Sequence, residues 1–124
     1  MAGPDPLDVF DAFYRTVCDD RDAGAFMALW ADDEDITMWG SDEDERAVGA
    51  AQIRALADAI VASPSQLAFA WDDRHVHEEG DVAWVNARGT FTLDGRAGAY
   101  RTTAVLVRRD GRWRWHTHSG SEPS

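Results

Sequence analysis

Along the first half of the chain apolar residues recur at helical spacing, and from residue 66 onward they alternate with polar ones. Asp5-Pro6 followed by Asp8 predicts a helix start: aspartate at the N-cap, proline in the first turn and an acid against the helix dipole. Leu7, Phe10, Tyr14 and Val17 form its apolar stripe, with Phe13 and Cys18 beside it. Asp22 caps a second, short helix whose apolar side is Phe26, Leu29 and Trp30. Residues 35–39 (DITMW) are short, alternating and partly β-branched, which predicts a strand. Gly49 opens a third helix, with Gln52 at the capping-box position. Ile53, Leu56 and Ile60 are its buried stripe, and Ser63-Pro64 ends it.

Four strands are predicted at 66–78, 81–93, 97–109 and 112–119, separated by Glu79-Gly80, Asp94-Gly95 and Asp110-Gly111. Asp-Gly between alternating runs marks a two-residue hairpin, because both residues tolerate positive φ. Helices first and an antiparallel meander second is an α+β arrangement, in which three N-terminal helices cover one face of a sheet. With 124 residues and neither repeat nor linker, the chain reads as one domain, 1–124.

Two-residue loops fix register by counting, and register sorts the strand residues into two faces. One face takes Ala83, Val85, Ala87, Gly89, Phe91 and Leu93, then Tyr100, Thr102, Ala104 and Leu106. Trp113, Trp115, Thr117 and Ser119 extend it on one side, and Ala68, Ala70 and Val76 on the other, with Asp72 and Arg74 as charged exceptions. Small in its middle and aromatic at its edge, this face is expected to be concave and to line a hollow. The opposite face takes Phe69, Trp71, His75 and His77, Val82, Trp84 and Arg88, and Arg101, Val105, Arg114, His116 and His118. Aromatic residues with arginine suit an interface centre, so Trp71, Trp84, Arg101, His116 and His118 are expected at a homodimer surface.

Charge narrows the partners. A net charge of −11 makes nucleic acid a poor partner, since phosphate binding draws on cationic side chains. Residues 31–45 hold eight acids, Glu43 among them, and no base. In the absence of EF-hand spacing this reads as a solvated loop pair rather than a calcium site. From residue 96 onward arginine dominates, so the two ends attract each other, within one subunit or between two. All twelve bases are arginine, which excludes a Schiff-base lysine and a Walker-type phosphate loop. Neither GxGxxG nor GxSxG occurs. The single cysteine, Cys18, excludes an internal disulfide, no apolar run is long enough to span a membrane, and MAGPDPLD carries no secretory signal, so a cytoplasmic location is expected.

His75/His77 and His116/His118 each place two imidazoles on one strand face, a spacing compatible with a metal ion. Two intervening strands keep the pairs apart, so no metal is expected and a structural or interface role is preferred. Asp72 is the inward carboxylate available for acid–base work, with Arg74 as a neighbour that would hold it ionised in a salt bridge. Tyr14, Trp30, Trp39, Tyr100 and Trp115, with the hydroxyls of Thr102 and Thr117, are expected to surround a small-ligand pocket; ordinary core packing is the alternative for the aromatic members.

The order helix–helix–strand–helix–meander, with DITMWGSDEDERAVGAAQI, GDVAWVNARGTF and YRTTAVLVRRDGRWRW…GSEP, resembles SnoaL-like domains of the nuclear transport factor 2-like superfamily. More distantly it is similar to the association domain of calcium/calmodulin-dependent protein kinase II. The resemblance covers nearly the whole chain and implies a cystatin-like, cone-shaped curved antiparallel sheet packed on three N-terminal helices. It also implies a pocket in the cone's mouth and frequent dimerisation through the sheet. Such relatives often place a histidine at even steps after the tryptophan of the last strand; His116 and His118 stand at odd steps from Trp113 and point outward unless a bulge intervenes. The expected function is a dimeric domain binding a small, largely apolar ligand without a cofactor. The alternatives are a cofactor-independent cyclase, isomerase or dehydratase, and a purely structural association module.

Overall fold

The computed structural model describes residues 5–42 and 44–122, so Glu43 of the acidic run and the last two residues of the tail lie outside it. Helix α1 (Pro6–Tyr14) begins as its sequence requires. The Asp5 carboxylate accepts from the Asp8 N–H at 3.2 Å and the Asp8 carboxylate from the Asp5 N–H at 3.1 Å. The helix then runs into a π-helical turn, Arg15–Asp19. The Thr16 hydroxyl donates there to the carbonyls of Ala12 (2.8 Å) and Phe13 (3.1 Å), bonding back onto the preceding turn. Asp22 caps α2 (Ala23–Met27) through the Ala25 N–H at 3.0 Å. Helix α3 (Ala50–Ala62) opens on Gly49, and the Gln52 side chain accepts from the Val48 N–H at 2.9 Å, one residue before the expected position.

Strands β1 (Thr37–Trp39), β2 (Arg46–Val48), β3 (Leu67–Glu79), β4 (Val82–Leu93), β5 (Arg96–Arg109) and β6 (Arg112–Ser121) form one curved sheet in the order β2-β1-β6-β5-β4-β3. The last four are the expected meander. Asp94, Gly95, Asp110 and Gly111 all hold positive φ, as the Asp-Gly loops predict. β1 runs parallel to β6, so the sheet is mixed rather than wholly antiparallel. β2, three residues paired back on β1, is too short to show an alternation in the sequence.

Two irregularities decide which residues look inward. The first hairpin loop is Gly80-Asp81, with Glu79 opposite Val82. Moving the loop by one residue slides the register by two, which leaves the faces unchanged. A bulge at Asp72 does not: Asp73 stands opposite Arg88, but Trp71 stands opposite Gly89. Phe69 and Trp71 therefore turn inward and Ala68 and Ala70 outward, the reverse of the counted register. In β6, Leu106 faces Trp115 and Val105 faces Thr117, leaving His116 as an extra residue. Beyond it Thr117 and Ser119 share the outer face, while His118 and Gly120 share the inner one. Each bulge inverts everything beyond it in its strand.

The core lies between α1 and the inner face of the sheet. Phe10, Phe26, Ile36, Ile53, Val85, Leu106 and Trp115 are fully buried. Trp115 donates its indole N–H to the Val9 carbonyl at 2.9 Å, pinning the first helix to the last strand. Its own backbone pairs with Leu29 and Ala31, which extends β6 toward the end of α2. The arginine-rich end does reach the acidic half within one chain, Arg109 meeting Asp33 at 3.0 Å. Among the described residues no helix is long and apolar enough to cross a membrane.

Candidate functional site

A cavity of about 320 Å³ opens between α1 with its π turn, α3, the segment after β1 and the inner face of the sheet. Each wall follows from an amphipathic pattern. The first helix and its π turn present Phe13, Tyr14, Val17 and Cys18. From α3 come Leu56 and Ile60. In that helix Ile53 and Ala57 are buried in the core, while Leu56 and Ile60 are half-buried at its edge and border the cavity. The far ends of β3 and β4 give Leu67, Phe69, Phe91 and Leu93, an apolar end that exists because the Asp72 bulge turns Phe69 inward.

The opposite end is polar. Tyr100 and His118 enter from β5 and β6, and Ser41, Asp42, Glu45 and Glu122 stand at the mouth. The mouth segment is a closed turn, in which Gly40 N–H donates to the Glu45 carbonyl at 2.7 Å and Asp42 N–H to the Glu45 carboxylate at 3.2 Å. A Cβ on Gly40 would stand 2.8 Å from the second Glu45 carboxylate oxygen, so glycine there lets that side chain lie across the turn. Ser41 donates to Glu122 at 2.8 Å and ties the mouth to the end of β6. At the floor the Tyr100 hydroxyl rests against Gly120, where any Cβ would collide with it and come within 3.3 Å of the His118 ring.

His118 is only 3% exposed and stacks on Phe13 with ring centroids 4.8 Å apart. Neither ring nitrogen has a hydrogen-bond partner among the described residues. Burial lowers its pKa to about 4; the Trp39 backbone offsets this in part without reaching hydrogen-bond geometry. The imidazole is therefore neutral near pH 7, with one donor and one acceptor unused. Each such buried group costs about 1–3 kcal/mol, a cost a ligand can relieve. Burial and then the Tyr100 hydroxyl raise Tyr14. Burial and then the Glu45 and Glu122 carboxylates raise Tyr100, so both phenols stay protonated donors. Burial and then Asp42 raise Glu45 above the usual carboxylate range. Burial and then Asp19 push Cys18 up to about 12, which makes it an inert thiol.

Of the residues expected around a pocket, Tyr14 and Tyr100 line this cavity. Thr102 lies behind Tyr14, whose hydroxyl donates to it across a long 3.5 Å. Trp30 and Trp115 are corrected to core positions, their rings 6.0 Å apart under the helices. Trp39, 43% exposed, lies outside with Arg46 stacked over it. Thr117 is on the outer face, turned there by the His116 bulge. Of the expected dimer surface, Trp84 remains outside on His77, with centroids 4.5 Å apart, and Arg101 remains exposed. Trp71 does not: it packs inside against Phe10 (5.4 Å) and Tyr14 (5.2 Å). His118, too, moves inside. Asp72 is exposed at the bulge, and Arg74 pairs with Asp11 at 2.6 Å instead.

His75 and His77 are exposed and far from β6 in strand order. His116 lies against Asp35 (3.0 Å) and Asp33 (3.9 Å), the three within metal-ligand reach of one another. Arg109 pairs with Asp33 as well, at 3.0 Å. Sequence reasoning missed His118, Glu45, Phe69, Leu56 and Ile60 as cavity residues. The signal for His118 was the habit of relatives to put a histidine on the face of the last strand's tryptophan, which the bulge restores here.

Comparison with known proteins agrees with this fold. A proposed dehydratase of the NTF2-like family from Streptomyces avermitilis superposes with a TM-score of 0.85 at 19% identity, over 95% of this chain and 93% of that one. A proposed calcium/calmodulin-dependent protein kinase type II association domain from Thiobacillus denitrificans gives 0.84 at 22% identity, over 100% and 99%. A proposed ketosteroid isomerase from Parabacteroides distasonis gives 0.75 at 17% identity, over 95% and 85%. At these identities the likeness is one of fold. No protein of curated function matches the chain in sequence. The model of the SnoaL-like domain matches residues 7–124, and the chain belongs to that family.

Proposed function

We propose that the chain binds a small, largely apolar molecule in this cavity, with its one polar group at the end formed by His118, Tyr100 and Glu45. The observation that carries the reading is the cavity's asymmetry, apolar along α3 and the ends of β3 and β4 and polar at one end. About 320 Å³ sits at the small end of ligand pockets and suits a molecule of one or two rings. β-Tetralone, a bicyclic ketone, is a suitable probe. It is expected to raise the melting temperature by mass action and to change the emission of Trp71, which packs on Phe69, Tyr14 and Tyr100. Ile60→Trp, which fills the cavity from α3, should abolish both signals. Equal responses from parent and variant would remove the basis for this reading.

A second reading, proton transfer without a cofactor, is favoured by one feature: an imidazole with no hydrogen-bond partner among the described residues lines the cavity together with two phenols, Tyr14 and Tyr100. A neutral histidine takes a proton from carbon next to a carbonyl while a phenol donates to the carbonyl oxygen. In D2O the parent is then expected to exchange the α-protons of bound β-tetralone faster than buffer. Exchange no faster than buffer would leave a binder and no more.

Dimerisation through the outer face is part of the proposal, on the strength of Trp84, His77 and Arg101 there. Trp84→Glu should sediment as a monomer at micromolar concentration where the parent is a dimer. A monomeric parent would end the dimer claim.

A further inference from the structure

We infer that the cavity selects cations: its ligand is an amine carrying a small apolar body, with the ammonium at the Glu45 end. This rests on the ligand-cavity reading above and adds the sign of the ligand's charge. Among the described residues three carboxylates, Asp42, Glu45 and Glu122, stand at the mouth, and no arginine lines the cavity. The chain contains no lysine at all. Arg21, behind the Cys18 wall, gives its donors to the carbonyls of Val61, Ser63 and Ser65. Among the described residues that line the cavity the charged groups are thus all carboxylates; Arg46, beside Ser41 and Asp42, lies over Trp39 and outside the lining.

Below the mouth the groups are neutral. His118 holds an acceptor that lacks a partner among the described residues, and the Tyr100 ring stands at the same end. An ammonium entering this end finds carboxylate oxygens, a free imidazole lone pair and an aromatic ring, each of which attracts a cation. A carboxylate entering it meets like charge in a partly desolvated site, where the side-chain donors among the described lining residues are phenol, imidazole N–H and a Ser41 hydroxyl already given to Glu122. The net charge of −11 works in the same direction at long range, concentrating cations near the surface.

Three probes with one body separate the possibilities: 3-phenylpropan-1-amine, 3-phenylpropan-1-ol and 3-phenylpropanoate, titrated calorimetrically into the parent at low salt. The amine is expected to bind at least tenfold more tightly than the carboxylate and several-fold more tightly than the alcohol. Its advantage over the alcohol should shrink as salt is raised. Glu45→Gln keeps an oxygen for the Asp42 N–H and removes the charge; it should weaken the amine about tenfold and leave the alcohol unchanged. Ile60→Trp should abolish binding of both. Alcohol or carboxylate binding as tightly as the amine overturns the inference and leaves the ligand-cavity reading standing. So does amine binding that survives Ile60→Trp, because the surface acids alone would then hold it. No binding by any of the three overturns both.

Discussion

Gly89→Ala is expected to lower stability by about 3 kcal/mol, the cost of forcing atoms into a packed site that cannot relax. A Cβ at Gly89 would fall on the Ala70 carbonyl oxygen and 2.8 Å from the Trp71 Cα. Both obstacles are backbone, so no side chain can swing aside to admit the methyl group. The approach is that close because β3 bends there: Trp71 pairs with Gly89, and the register breaks at the next residue. The bend also carries Phe69 into the cavity wall, so relief of the clash by straightening β3 removes the apolar end of the site. A melting temperature lower by roughly 12 °C and loss of β-tetralone binding are the expected readouts. A variant within 1 kcal/mol of the parent by denaturant titration would show that the two strands are not held this close.

His118→Leu is expected to change how stability depends on pH. In the unfolded chain the imidazole titrates near its ordinary value of 6.5, and in the fold burial lowers it to about 4. Between these values the unfolded state binds a proton that the native state does not. Native stability is therefore intact above about pH 6.5 and falls as pH drops toward 4, by about 3 kcal/mol in all. Leucine has nearly the volume of histidine and no proton to bind. Near pH 7.5 the variant should be as stable as the parent or more so, since two unsatisfied buried polar atoms disappear. By pH 4 it should have gained about 3 kcal/mol on the parent. Carboxylate titrations are common to both proteins and cancel in the difference. Parallel stability curves over that range would mean that the ring is not buried in its neutral form. The same variant should lose α-proton exchange while the melting response to β-tetralone persists in part, which separates proton transfer from binding.

The sequence by itself determined the three helices, the strand at β1, the four long strands, their order and the fold class, but not β2. Asp5 and Asp8 specify where the first helix starts, Asp94-Gly95 and Asp110-Gly111 specify two hairpins, and the change of period near residue 66 specifies helices before sheet. These features are legible because each is enforced within a few residues: a cap donor and its acceptor, a φ that few residues tolerate, an alternation set by the pleat. The cavity was legible only in part. Tyr14 and Tyr100 point into it as periodicity predicts. Phe69, His118 and Thr117 were placed on the wrong faces, because each lies beyond a bulge and one extra residue reverses the rest of a strand. The bulges at Asp72 and His116 answer to partners far away in sequence. Gly89 lets β3 bend against β4, and Trp115, opposite Leu106, is held under α1 by the Val9 carbonyl, so the strand must break register after it. Likewise nothing local in ADAI tells that Ile60 faces a hollow rather than the core, since that depends on how far α3 stands from the sheet. Local rules set the elements and the turns. Packing between distant segments decided which side chains share the cavity, and with it the placing of His118 and Glu45 in one lining.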